Sequence, residues 1–186
     1  MLGMLEATSG SVMFDGKDIS MLSTQDRIKH GLAFVPQTKN VFPSMTVEEN
    51  LQMGGFIRQD DINQTIEEVY ALFPILYEKR KQLAEQLSGG QRQQVAFGRA
   101  MMTKPSIMLL DEPTAGVSPI VMDEIFSNIL DVKNAGMAVL MVEQNAQQAL
   151  NIADKGYVLV SGRNEHTGTG KELINNPEVR KKFLGG

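Results

Sequence analysis

The chain has 186 residues, enough for one globular domain carrying a small inserted lobe. Its apolar share of 42%, charged share of 22% and formal net charge of −4 describe an ordinary core-forming protein, with no basic footprint for nucleic acid. It has no cysteine and only two histidines, His30 and His166, which excludes disulfide frameworks and thiolate sites and leaves too few bases or ligands for a Ser-His-Asp triad or a histidine metal centre.

In chain order, the first expected element is a strand over residues 11–14 that ends at the turn Asp15-Gly16. Continuous apolar runs at residues 32–35, 107–110, 138–142 and 157–160 have the length of strands buried on both faces, as in a parallel sheet. Helical stretches are predicted at 46–53, 62–73, 89–102, 120–134 and 146–153. Strands alternating with helices argue for an α/β fold of right-handed crossover units. Residues 46–102 hold helices and no convincing strand, so they read as a helical lobe inserted into a single domain spanning 1–186. From Gly168 onward two short helices are expected, with Pro177 in the first turn of the second. No apolar run approaches the roughly 20 residues that span a bilayer. No basic-then-apolar leader pattern opens the chain either. Work at a membrane therefore requires docking to a partner that spans it.

The strongest local signal is Leu87-Ser88-Gly89-Gly90-Gln91, expected by chance on the order of once per million starting positions. Ser88 suits the N-cap of the following helix, and Gly89 and Gly90 leave their backbone N–H groups accessible. Hydroxyl, bare amides and helix N-terminus together make an anion site suited to a phosphate. A lone Ser-Gly-Gly would be better read as a cap and a turn. Further on, Ile107-Met108-Leu109-Leu110 runs into Asp111-Glu112, which delivers two carboxylates at the C-terminal end of a buried strand, where α/β sheets bind ligands. An aspartate there can hold Mg²⁺ through water, and the adjacent glutamate can orient or deprotonate an attacking water. The plainer reading is a strand end with solvated acids. Pro113 then breaks the strand.

Taken together, these residues resemble the nucleotide-binding subunits of ABC transporters over essentially the whole chain. Residues 87–91 match the signature motif and 107–112 match Walker B with its catalytic glutamate. Gln37 matches the Q-loop, 115–118 fall at the D-loop, and Gln144 falls at the switch position. The resemblance implies a P-loop NTPase-like parallel-sheet core with an inserted helical subdomain, 46–102, that bears the signature. It implies ATP and Mg²⁺ as ligands. Glu112 and Gln144 would serve hydrolysis, Ser88, Gly89, Gly90, Gln91 and Gln37 would bind nucleotide, and Asp111 with Gln37 would hold the metal. Its implied partners are transmembrane permease subunits, a second ATPase subunit and, indirectly, a periplasmic or extracellular solute-binding protein. The implied location is cytoplasmic, peripheral on the inner face of the cell membrane.

Val35-Pro36-Gln37, Val41-Phe42-Pro43, the stretch 44–51, Val142-Glu143-Gln144-Asn145-Ala146 and the ending Phe183-Leu184-Gly185-Gly186 look like one of the paired ATPase subunits of branched-chain amino-acid importers. The ending suggests a complete C-terminus. The P-loop pattern G-x-x-x-x-G-K-[ST] is absent. Gly170-Lys171 has Glu165 and Glu172 at its flanking positions, and Gly16-Lys17 has Ser11 and Asp18. By resemblance, residues 1–5 match the end of the helix that follows the P-loop, so the core is expected to lack its N-terminal strands and to expose unpaired strand edges. The chain alone is then expected to be inactive. The switch usually holds histidine, whereas Gln144 can hydrogen-bond but cannot carry charge. Ser118 replaces the acidic D-loop residue of many relatives. Phe42 and Phe56 are candidates for contact with a transmembrane partner, or for the core of the lobe. Two other functions stay open: a non-hydrolysing partner subunit in an ABC heterodimer, and a soluble ABC-type ATPase not linked to transport.

Overall fold

The computed structural model describes residues 1–184; Gly185 and Gly186 of the closing Phe-Leu-Gly-Gly lie outside the described residues. Three strands make the sheet that positions the candidate site: β3 (Leu32–Val35), β4 (Ile107–Asp111) and β5 (Ala138–Val142), parallel and in that order. Leu32 lies opposite Ile107, and Ile107 opposite Ala138, so the three strands end together. Parallel neighbours need long crossovers, and helices supply both of them. Leu32, Ala33, Val35, Met108, Leu109 and Leu110 are buried, as continuous apolarity predicts. β5 departs from that expectation. Its residues alternate in exposure, with Leu140 and Val142 exposed, because among the described residues only β4 pairs with it.

Between β3 and β4 the described structure is helical. α2 (Val47–Gly54) opens with a capping box in which Thr46 accepts from the Glu49 N–H and the Glu49 carboxylate accepts from the Thr46 N–H. The helix predicted at 62–73 is two. α3 (Asn63–Leu72) stops before Pro74, which takes the first position of α4 (Pro74–Glu78). α5 (Gly89–Met101) runs back to the sheet and packs on α2. A side chain at Gly54 would run into the backbone carbonyl of Arg99, so α2 and α5 meet backbone to backbone there. Val47, Leu51, Val69, Phe73, Leu76, Val95, Phe97 and Met102 join Met108 and Ile125 in one apolar cluster, so these helices and the sheet share a core. Each such fully buried side chain contributes about 1.5–3 kcal/mol. α6 (Pro119–Asn134) then crosses to β5.

Two hairpins flank this core. β1 (Met13–Phe14) and β2 (Lys17–Asp18) turn through Asp15 (φ 48°) and Gly16 (φ 73°), both left-handed, as a two-residue hairpin requires. The strand expected over 11–14 is thus shorter and has a partner the sequence did not announce. The run 157–160, expected as a strand buried on both faces of a parallel sheet, lies instead in an antiparallel hairpin with Tyr157 and Leu159 exposed. There β6 (Gly156–Val160) pairs with β7 (Arg163–Gly168) through the matching turn Ser161 (φ 48°) and Gly162 (φ 78°). α1 (Thr24–Lys29), capped by Ser23, is a further helix absent from the sequence reading. Residues 1–5 do not form the end of a helix; residues 3–5 are bends. The Leu2 side chain is buried, and the Arg27 guanidinium, itself buried, donates to the Met1 carbonyl. After β5 comes α7 (Ala146–Ile152), and α8 (Gly170–Asn175) and α9 (Pro177–Phe183) close the described chain, with Pro177 opening α9 as expected.

Candidate active site

Glu112 follows the last residue of β4 with φ 43°, a left-handed conformation that a bulky residue adopts only where its surroundings fix it. Its N–H donates to the Val142 carbonyl at 2.9 Å, and its carbonyl accepts from the Ala115 N–H at 3.1 Å. The turn lifts the carboxylate off the strand line toward two loops. From the loop after β3, the Gln37 amide donates to Glu112 Oε2 at 3.1 Å. From the loop after β5, the Gln144 amide donates to Glu112 Oε1 at 2.8 Å. Each oxygen of the carboxylate thus accepts one bond and keeps a further lone pair for a water. Three residues separated by 75 and 32 positions meet because three strands end in register.

Asp111 ends β4 opposite Val142, exposed to solvent, and Gln37 meets Glu112 rather than Asp111. The oxygens that the resemblance assigns to a metal, the Asp111 carboxylate and the Gln37 amide carbonyl, are hard donors of the kind Mg²⁺ takes. That ion takes one or two protein oxygens and completes its shell with phosphate and water. Among the described residues no three His, Cys, Asp or Glu side chains form a metal cluster.

The second part of the site is the N-terminus of α5. Ser88 Oγ accepts from the Gln91 N–H at 3.2 Å, while Gln91 Oε1 accepts from the Ser88 N–H at 3.1 Å. Gln91 therefore spends its side chain on the cap. With the Gln91 N–H held by Ser88, the N–H groups of Gly89 and Gly90 are the ones without a partner within the helix, and they are what an anion would meet. A side chain at Gly90 would run into Glu124 Oε2 of α6, which packs alongside; the nearest atom to one at Gly89 is Val121 Cγ1, at 3.9 Å. The structure brings Gln37, Glu112 and Gln144 together and holds Ser88, Gly89, Gly90 and Gln91 as a separate helix end.

Sequence reasoning passed over Glu143 and Thr114. Glu143 Oε2 accepts from the Thr114 hydroxyl at 2.7 Å and from the Thr114 N–H at 3.3 Å. Glu143 Oε1 accepts from the N–H groups of Gln144 at 2.8 Å and Asn145 at 3.0 Å. Only the parallel pairing of β4 with β5 makes these residues neighbours. The available signal was an acid directly after a strand, flanked by residues with amides to bind it.

The ABC transporter family profile matches residues 1–115. The branched-chain amino acid transport ATP-binding protein BraG of Pseudomonas aeruginosa is 44% identical over 185 residues, covering 99% of this chain and 79% of BraG. The probable branched-chain amino acid transport protein LivF of Archaeoglobus fulgidus is 39% identical, over 98% of this chain and 78% of LivF. The lipopolysaccharide export ATP-binding protein LptB of Haemophilus influenzae is 34% identical, over 99% and 78%. The crystal structure of an ABC transporter's ATP-binding cassette in its ADP conformation superposes with a TM-score of 0.86 at 29% identity, covering 99% of this chain and 80% of the cassette. A nucleotide-free cassette gives 0.83 at 29% identity, over 100% of this chain and 80% of its own length. The P-loop NTPase-like α/β fold expected from the sequence is the fold of these cassettes. On its sequence, its fold and its relatives, the chain belongs to the ABC transporter family as an ABC-type ATPase cassette.

Proposed function

We propose that the chain belongs to the ATPase subunit powering an importer of branched-chain amino acids and is inactive on its own, with Glu112 as the carboxylate that prepares the attacking water once ATP is held. The observation that carries this reading is the convergence of the Gln37 and Gln144 amides on the two oxygens of Glu112. Two donors on a carboxylate fix its plane and leave its remaining lone pairs to receive a proton from water. Asp111 and Gln37 would hold Mg²⁺, which supplies charge neutralisation to the phosphates when bound. Ser88, Gly89 and Gly90 would meet the phosphates of ATP held by a second ATPase subunit, and residues 46–102 would act as the helical subdomain that presents them. The sequence holds no phosphate cradle of the P-loop kind, so ATP binding by these 186 residues alone is expected to be undetectable by titration calorimetry.

Among the described residues no helix is long and apolar enough to cross a membrane, so force would pass to a permease by docking at the inner membrane face. A groove of about 400 Å³ beside the Gln37 loop, lined by Phe34, Pro36, Met53, Ile57 and Arg99, supports that contact. Phe56 next to it is 79% exposed, whereas Phe42 lies under the Arg99 guanidinium at 4.6 Å. A solute-binding protein outside the membrane would set the solute.

The test is uptake of labelled leucine by cells whose own copy carries Glu112→Gln. Uptake is expected to fall at least about a hundredfold with the protein still present. Unchanged uptake would remove the amino-acid reading. The LptB likeness favours a second reading, and a lipopolysaccharide export defect in those cells would select it.

A further inference from the structure

We propose that Glu143 is the positioning residue of the switch loop: its carboxylate fastens residues 143–145 to the turn after β4 and so aims the Gln144 amide at Glu112. The carboxylate faces five donors. Thr114 supplies its hydroxyl and N–H, Gln144 and Asn145 their N–H groups, and the Asn145 side-chain amide a fifth at 3.2 Å. A carboxylate has about four lone-pair sites, so Glu143 is saturated and has no capacity left to act as a base. The Asn145 amide also donates to Thr114 Oγ1 at 2.7 Å, which closes a ring of Asn145, Thr114 and Glu143. Thr114 is 1% exposed, so the ring is anchored in packed protein rather than in solvent.

The consequence lies in the alternation of contacts. Residues 143 and 145 both bind Thr114, and the residue between them binds Glu112, two positions before Thr114. Beside the backbone bond from the Glu112 N–H to the Val142 carbonyl, side chains join the two turns at two points, one formed by the ring and one by the Gln144–Glu112 bond. Three bonds of the ring cross between the turns, from the Thr114 hydroxyl and N–H to Glu143 and from the Asn145 amide to Thr114 Oγ1, against the single bond from Gln144 to Glu112, so the ring is the firmer join and the Gln144 bond depends on it. Gln37 reaches Glu112 from a different loop and owes nothing to Glu143.

This inference rests on the reading of Glu112 as the hydrolytic carboxylate for its meaning, but its test reads position alone. The full 186-residue chain, labelled with ¹⁵N and ¹³C, is compared with Glu143→Ala and the nearly isosteric Glu143→Gln by NMR. In Glu143→Ala the proximity signal between the Gln144 side-chain amide and Glu112 is expected to vanish while that of Gln37 remains. Glu143→Gln, which keeps one acceptor oxygen, is expected to restore part of it. Hydrogen exchange at the Gln144 and Asn145 amides is expected to rise about tenfold or more, with Phe97 in α5 unchanged. If Gln144 stays on Glu112 in both variants, the proposal is wrong. If Gln37 leaves with Gln144, Glu143 merely supports the whole corner and the proposal is equally overturned. Fast exchange at Thr114, Gln144 and Asn145 in the unsubstituted chain would overturn it without any variant. Loss of leucine uptake in Glu112→Gln beside an unmoved Gln144 in Glu143→Ala would sink this inference and leave the function standing.

Discussion

The two parts of the site are built in opposite ways. At the N-terminus of α5, Ser88 and Gln91 satisfy each other three residues apart, and the geometry is complete within one helical turn. At the ends of the strands, Gln37, Glu112 and Gln144 meet across 75 and 32 residues and exist as a group only when β3, β4 and β5 are in register. A helix end capped within one turn can survive damage elsewhere in the fold, whereas a carboxylate clamped from two loops cannot. Damage to one part should therefore differ in kind and in size from damage to the other.

The largest effect is expected at the clamped carboxylate. Glu112→Gln keeps the shape but removes the charge, and should lower ATP turnover of the assembled transporter by about 10²-fold or more without changing the melting curve. A parallel loss of stability would mean that the strand-end group is structural and would erase the contrast. Next comes the joint between the two parts. Gly54→Ala forces a methyl group into the Arg99 carbonyl and should destabilise the fold by about 1–3 kcal/mol in urea denaturation. Both parts should lose order together, because α2 and α5 share the core beneath them.

Ser88→Ala sharpens the comparison at smaller size. Losing the cap should cost about 1 kcal/mol, and the Gln37 and Gln144 amide signals should stay where they are. The smallest effect tests another local contact, Arg58 with Asp60. The hydrogen bond from Arg58 holds the Asp60 carboxyl down at about 2, below its ordinary 3.8. Because the folded value is the lower one, this contribution is present above 3.8 and lost as pH falls toward 2. Asp60→Asn should flatten the acid limb of stability in that window and leave neutral pH nearly unchanged, as urea melts at pH 5 and pH 2 would report.

What was legible in the sequence follows the same division. Ser88 to Gln91 could be read at sight because a capping box is written in four consecutive residues. Glu112, Gln37 and Gln144 could be named by resemblance, yet nothing in their neighbourhoods says that two amides share one carboxylate. The role of Glu143 was hidden for the same reason: its partner Thr114 lies beyond an entire helix and strand. The central strands announced themselves through apolarity, but β7, reading Arg-Asn-Glu-His-Thr-Gly, has no apolar alternation and is specified by the Ser161-Gly162 turn and its partner β6. α1 was missed because six largely polar residues lack a full apolar stripe. Its buried Arg27 is satisfied by the carbonyls of Met1, Ser20 and Leu22, contacts that only the folded chain reveals.

The shared register of β3, β4 and β5 has a consequence for how this cassette tolerates change in its length. Adding one residue to β4 would advance Glu112 by about 3.3 Å and turn alternate side chains to the other face. Both amides would then reach for a position the acid had left. A point substitution changes one contact of the site at a time, but an inserted or deleted residue in any of the three strands acts as a frameshift in space, and the reading frame it breaks is that of the clamped carboxylate.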